Sequence, residues 1–355
     1  MFRAGPILVA LVLFASFCHA WGDDPATAPP SAVITDDAVH QTVDRATAYL
    51  QKESADWKQK RGCASCHHAP MAIWGLSEAK RNGYAIDDKY LGEAVEAVLG
   101  SVDKMRAAKI YPDPKATPDP RPQGRGLNMG LPFLAVGANV YPGLTDSQRE
   151  SLKLIAGEII AKQQSEGSWE FFQTLRRPPI NESQYTDAAW TIMALEDIGN
   201  RLPDEAIQAS LTKARSWLAS SQPAELHQEK AMKLVLDVRA NGSSDEIPGR
   251  VKELLSLQRE DGGWSQTIPE PRSDAFATGQ TLYALSLAGM KKDDPAIRRG
   301  IEFLVKTQTD DGSWQMASRS SPDGSPGSSK LLTPINCASA AWAVIGLTSQ
   351  VPLTK

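Results

Sequence analysis

Two kinds of apolar segment alternate along the chain. In "SLKLIAGEIIAKQQ", "VKELLSLQRE" and "IRRGIEFLVKTQT" apolar residues return every three or four positions, which is the period of one helix face. In "YTDAAWTIMALEDIG", "SDAFATGQTLYALSLAG" and "NCASAAWAVIGL" apolar and small residues cover most of the circumference. A helix with no polar face belongs in an interior. The pattern therefore predicts outer amphipathic helices, each followed by a buried inner one.

Three of these pairs are joined by similar turns: "KQQSEGSWEFF", "SLQREDGGWSQ" and "KTQTDDGSWQM". Each holds Gln, a short polar or acidic spacer, Gly and Trp. The same spacing extends to fainter pairs, with 38–53 followed by 66–81, 89–109 by 125–139, and 204–219 by 224–240. About six helical hairpins result, a repeat that signals a stacked or closed array. Six can close into a ring that leaves no end to cap.

The Gln…Gly-Trp turns resemble the QW motifs of squalene-hopene and oxidosqualene cyclases, and related turns in the prenyltransferase-repeat superfamily. The resemblance spans residues 38–350. It implies an all-α fold, an (α/α)6 toroid whose six parallel inner helices surround a central cavity. It also implies that Gln164, Trp169, Gln258, Trp264, Gln308 and Trp314 tie helix ends together.

Connection lengths are unequal. Inner-to-outer turns such as "IGNRLPDE" are short, with Gly or Asn stops and Asp or Pro starts. Several outer-to-inner connections are long, as in "YPDPKATPDPRPQG" and "MASRSSPDGSPGSSKLLTP". Long loops in compact domains are commonly lids or binding loops. In a ring they share one end with the inner-helix N-termini, where free N–H groups present partial positive charge. That mouth is expected to gather Cys63, Cys66, His67, His68, Asn128, Met129, Tyr185, Asp187, Glu225, His227, Glu229, Asp274, Asn336 and Cys337.

Composition narrows the function. The chain has 355 residues, a formal net charge of -4 and no basic run, which argues against a nucleic-acid partner. Arg3, the apolar "GPILVALVLFASF" and "CHA" before Trp21 read as a secretory signal over residues 1–20. Residues 21–37 read as a flexible lead-in. An exported protein, periplasmic or secreted, is expected, with no transmembrane anchor after cleavage. Cleavage removes Cys18 and leaves Cys63, Cys66 and Cys337. An odd number of thiols is not a disulfide scaffold.

"GCASCHHAP", residues 62–70, is the densest chemical motif. C-x-x-C-H attaches c-type haem, both sulfurs bonding the macrocycle edge and the histidine binding iron from one face. Cys63, Cys66 and His67 would serve, with His227, Met129 or Met71 as the sixth ligand. Zinc is the alternative cofactor, held by Cys63, Cys66 and His67 or His68, with Cys337 or Asp274 completing a tetrahedron. A Cys63–Cys66 disulfide is the third reading.

The cyclase resemblance raises a separate candidate. Bacterial cyclases carry Asp-x-Asp-Asp at the start of an inner helix, the middle Asp donating the proton. Here "QYTD" keeps only Asp187, and Asp274 in "SDAFATGQ" offers a second acid. Either could be a general acid if burial raised its pKa, and either could be a helix N-cap. Trp74, Trp190, Tyr283 and Trp342 fall on inner helices, available to line a cavity or to pack a core. Two function classes stay open. One is an enzyme, either a divergent cyclase or a haem-dependent oxidoreductase acting on an apolar small molecule. The other is a non-catalytic module that binds such a molecule or a redox partner.

Overall fold

The computed structural model describes residues 34–61, 68–100, 126–127, 129–171, 178–180, 182–221, 226–240, 245–268, 270, 272–317, 319 and 332–353. These form an (α/α)6 toroid built of six hairpins. The outer helices are α1 (Asp36–Arg61), α3 (Asp88–Leu99), α5 (Asp146–Ala161), α7 (Glu205–Ser220), α9 (Ile247–Ser256) and α11 (Pro295–Thr307). The inner helices are α2 (Ala69–Arg81), α4 (Gly130–Asn139), α6 (Gln184–Arg201), α8 (His227–Arg239), α10 (Ala275–Leu287) and α12 (Thr333–Gln350). The described residues contain no β-strand beyond isolated bridges. No described helix is long and apolar enough to cross a membrane.

Each inner helix packs on the next, from α2 through α4, α6, α8 and α10 to α12, and α12 packs back on α2. The ring is thus closed. Outer helices start at side-chain caps. Asp87, Thr145, Asp204 and Asp294 accept from backbone N–H groups in the first turns of α3, α5, α7 and α11. Helix α1 runs past the expected residue 53 to Arg61, because Asp56 accepts from Lys52 and Lys60 at 2.9 and 3.3 Å and so extends the exposed face.

The repeated turn explains ring closure. Trp169, Trp264 and Trp314 are buried and donate Nε1–H to Ile159, Leu254 and Leu304 carbonyls at 2.8, 2.7 and 3.0 Å. Each acceptor lies on the outer helix that leads into the turn. The glutamine of the turn reaches forward instead. Gln258 Nε2 donates to Gly262 O and to Ala296 O of α11. Gln308 Nε2 donates to Gly312 O and to Thr42 O of α1, joining the last hairpin to the first. In the remaining turn the tie is Gln163, not Gln164. Gln163 donates to Gly167 O and to Ser210 O of α7, both at 3.0 Å. The tie sits six residues before the Trp in all three turns, and Gln164 is one residue out of that register.

The turn glycines Gly167, Gly262 and Gly312 have φ of 105°, 88° and 85°. A Cβ on Gly312 would also lie 2.3 Å from the Arg45 carbonyl of α1. Gly312→Ala is therefore expected to lose more than the roughly 1–2 kcal/mol of a left-handed alanine. Urea unfolding of the purified variant checks this, and an unchanged midpoint would contradict the closure described.

Candidate functional site

The middle of the ring is filled. Trp74 of α2, Phe133 of α4, Trp190 of α6, Phe276 and Tyr283 of α10 and Trp342 of α12 form one aromatic cluster. Trp190 and Trp342 stand on opposite inner helices, yet their ring centroids are 5.9 Å apart. Side chains meeting from opposite walls close the bore at that level. Of the two uses open to these aromatics, the structure favours packing.

The bore wall also carries polar side chains, one of them level with the plug. Gln280 lies four residues after Phe276 and three before Tyr283, both of which touch Trp342. It therefore shares their bore-facing side. On α8, Lys230 and Asp237 pair outward with Glu253 and Arg250 of α9. Gln228 lies about half a helical turn from both, on the face toward the bore. Gln228 and Gln280 are each 2% exposed. Neither amide has a partner at its oxygen or its nitrogen among the described residues.

At the mouth, a hydrogen-bonded chain spans three connections. Arg319 pairs with Glu182 and donates Nε–H to Gln266 Oε1 at 2.8 Å. Ser183 Oγ donates to Glu229 Oε1 at 2.5 Å. Asp274 caps α10, its Oδ1 accepting from Ala277 N at 2.9 Å. Among the described residues the other oxygen, Oδ2, is buried without a partner, as is Glu182 Oε1. Burial pushes the Glu182 carboxyl up to about 7 despite Arg319, with Glu229 and Asp274 adding to the rise. Burial pushes Asp274 up to about 6 against the Ala277 N–H. A cleft of ≈ 240 Å³ opens here beside Asp274, Gln266, Gln315 and Arg319.

Asp187 is 1% exposed and lies in the first turn of α6 without being its cap. Ser183 fills that role in a capping box with Thr186. Thr186, where a cyclase donor would stand, is thus engaged in starting the helix.

A different cluster lies where α1, α2, α3 and α12 meet. Cys63, Cys66 and His67 lie outside the described residues, as do Asn128 and Glu225. His68, which leads into α2, is fully buried and stacks on Trp57 at 4.5 Å. Among the described residues its ring nitrogens have no hydrogen-bond partner, Nε2 being 3.8 Å from Glu53 Oε1. Burial lowers its pKa to about 4, which keeps the imidazole neutral. Cys337 of α12 is buried, its Sγ 3.8 Å from the His68 carbonyl rather than its ring. Burial raises the thiol pKa, the direction that opposes a thiolate ligand. A cleft of ≈ 430 Å³ lies alongside, lined by Ser54 and Trp57 of α1, Ala69 of α2, and Tyr90, Ala94 and Val98 of α3. No group of three metal-capable side chains forms among the described residues.

Met129 precedes α4 and is half-buried, on the neighbour of α2. His227 opens α8, opposite α2 in the ring order, and its Nε2 is 2.6 Å from Thr281 Oγ1. The structure therefore does not bring His227 to the His68 corner. Tyr185 is buried at the start of α6, and Asn336 Oδ1 accepts from Met316 N. The Glu182–Arg319–Gln266 chain was absent from the sequence reading, its members being loop residues with no local pattern.

No family model matches the chain. In sequence it is similar to a squalene–hopene cyclase of Bradyrhizobium diazoefficiens, 38% identical over 71 residues, 17% of this chain and 11% of that protein. It is also similar to a lanosterol synthase of Candida albicans, 22% identical over 222 residues, 49% of this chain and 30% of that protein. The matches thus take in well under two thirds of either relative. Among solved structures, an unsaturated glucuronyl hydrolase variant from Streptococcus agalactiae aligns with a TM-score of 0.59 at 12% identity, over 90% of this chain and 92% of that one. A type II terpene cyclase from Scytonema, solved with geranylgeranyl dihydroxybenzoate, aligns with a TM-score of 0.52 at 14% identity, over 90% and 99%. Similarity to the cyclases in sequence and to α/α toroids in structure places the fold, and the structures at this identity speak to fold alone.

Proposed function

We propose that the chain is an exported, cyclase-like toroid that carries a covalent c-type haem on Cys63 and Cys66, with His67 as an axial ligand. The observation that carries this reading is the ≈ 430 Å³ cleft beside the start of α2, the helix that follows the motif in sequence. Its volume falls in the ~300–1,000 Å³ range of sites for organic ligands. Its walls suit a mostly apolar group. Trp57 offers an aromatic face, and Ala55, Ala69, Ala94 and Ala97 leave room that larger side chains would fill. When bound, a haem would supply one-electron chemistry, tuned by its axial ligands and its burial.

The chain's own residues would hold and shield the group. Cys63 and Cys66 would anchor it, and the cleft walls would exclude water from one side. Ring order favours Met129 over His227 as sixth ligand, because α4 adjoins α2 and α8 does not. Zinc is the weaker reading, since buried Cys337 is disposed against ionising. The plugged bore favours a redox or ligand-binding module over one that folds a long polyprene chain inside.

The reading is tested by expressing the chain with its N-terminus intact in a host that matures c-type cytochromes. A reduced pyridine haemochrome band is expected from the wild type and absent from a Cys63→Ala/Cys66→Ala double variant. Stoichiometric zinc with no haem band would overturn it.

One observation favours a second reading, a divergent cyclase with Asp274 as general acid. Its Oδ2 is buried without a partner among the described residues and its carboxyl is pushed up to about 6, so about a tenth of it holds a proton at pH 7, far more than of an ordinary aspartate. Squalene turnover lost in Asp274→Asn would support it, and no turnover by the wild type would end it.

A further inference from the structure

We infer that the mouth holds a second site, a polar pocket for a small, uncharged polyhydroxy ligand of the sugar-ring class, separate from the cleft beside His68. The pocket is the ≈ 240 Å³ cleft lined by Gln266, Glu270, Ser273, Asp274, Gln315 and Arg319. That volume lies below the ~300 Å³ at which sites for drug-sized ligands begin, which limits the occupant to about one small ring.

The site is built rather than incidental. Arg319 is held at both ends, by Glu182 and by Gln266, which is itself 5% exposed. The Glu182 side chain is also 5% exposed, and its second oxygen has no partner among the described residues. Asp274 uses one oxygen to cap α10 and leaves the other buried and unpartnered. Buried polar groups normally have partners, and each one left unmade costs about 1–3 kcal/mol. Asp274 Oδ2 in the cleft wall, and Glu182 Oε1 beside Arg319, are therefore places where something else can complete the bonding.

The chemistry selects the ligand. Carboxyl oxygens accept, guanidinium donates, and carboxamides do both. A hydroxyl both donates and accepts, so adjacent hydroxyls on one ring can serve all three. Charge disfavours the alternative of an anion. In the cleft lining Glu270 and Asp274 balance Arg272 and Arg319, and Arg319 is already paired with Glu182, so no net positive charge is offered to an anion. Like charge at close range repels.

Isothermal titration of the purified full chain with glucose, xylose and inositol tests this, with acetate as anionic control. A saturable signal with at least one polyol and none with acetate is expected. Glu182→Gln and Asp274→Asn should each weaken it roughly tenfold, the value of one charged hydrogen bond. Asparagine retains capping ability, and Arg319→Lys changes only a loop residue, so an unaltered circular dichroism spectrum keeps the comparison interpretable. No polyol binding, acetate binding alone, or wild-type affinity in both Glu182→Gln and Asp274→Asn would overturn the inference. Haem content plays no part in this readout, so the outcome is separable from the redox reading.

Discussion

Trp342→Ala should cost about 3–5 kcal/mol of stability, the loss typical of a fully buried tryptophan. The indole is 1% exposed and meets Trp74, Trp190, Phe276 and Tyr283, so three other inner helices rest on it. Removing it takes away burial and leaves a void on the ring axis. Collapse is hindered, because α10 and α12 are already at closest approach: a Cβ on Gly279 would lie 2.4 Å from the Trp342 carbonyl carbon. Urea unfolding with a two-state fit measures the loss. A change under about 1 kcal/mol would mean that the aromatics line an open space instead of bearing the packing.

Acid should weaken the protein through His227. Burial lowers its pKa to about 3, helped by Lys230, while the unfolded value is near 6.5. The folded state therefore binds fewer protons than the unfolded chain between those values. Its contribution is complete above pH 6.5 and is lost as pH falls toward 3, amounting to about 3 kcal/mol by pH 4. Glu182 and Asp274 act with opposite sign. Their folded pKa values lie above the unfolded ones, so their contribution grows as pH falls from 7 toward 4. His227→Gln isolates the histidine, since the amide can still meet Thr281 but does not titrate. The variant should be less stable at neutral pH yet lose about 3 kcal/mol less on going to pH 4. Parallel stability curves for the two proteins would show that His227 is not buried in the neutral form.

The fold was legible because one short turn recurs. Gly, Trp and the six-residue spacing to Gln mark three hairpin joints, and the alternation of amphipathic and all-apolar helices fills in the others. Register within "QQ" was misread: the six-residue spacing of the other two turns selects Gln163, and its bonds to the carbonyls of Gly167 and Ser210 agree. The cap of α6 was similarly hidden. Ser183 and Asp187 are both good caps by type, and the choice depends on where the first turn starts.

The site was legible in part. Asp274, Met129, His68 and Cys337 are at inner-helix entrances as the ring topology requires, yet topology does not say which entrances adjoin. His227 and His68 share one end of the ring but stand on opposite sides of it. The Glu182–Arg319 pair joins residues 137 positions apart in two loops, and no local pattern announces such a contact. The plug was equally invisible, since an inward tryptophan reads the same whether it lines a cavity or fills one.

The central claim is that Cys63 and Cys66 carry haem covalently, and the intact mass of the mature protein, measured after denaturation, tests it most directly. The account predicts a chain beginning at Trp21 whose mass exceeds that of the polypeptide by one haem, with the excess gone in Cys63→Ala/Cys66→Ala. The mass of the bare polypeptide, or of that polypeptide less two hydrogens for a disulfide, would contradict it.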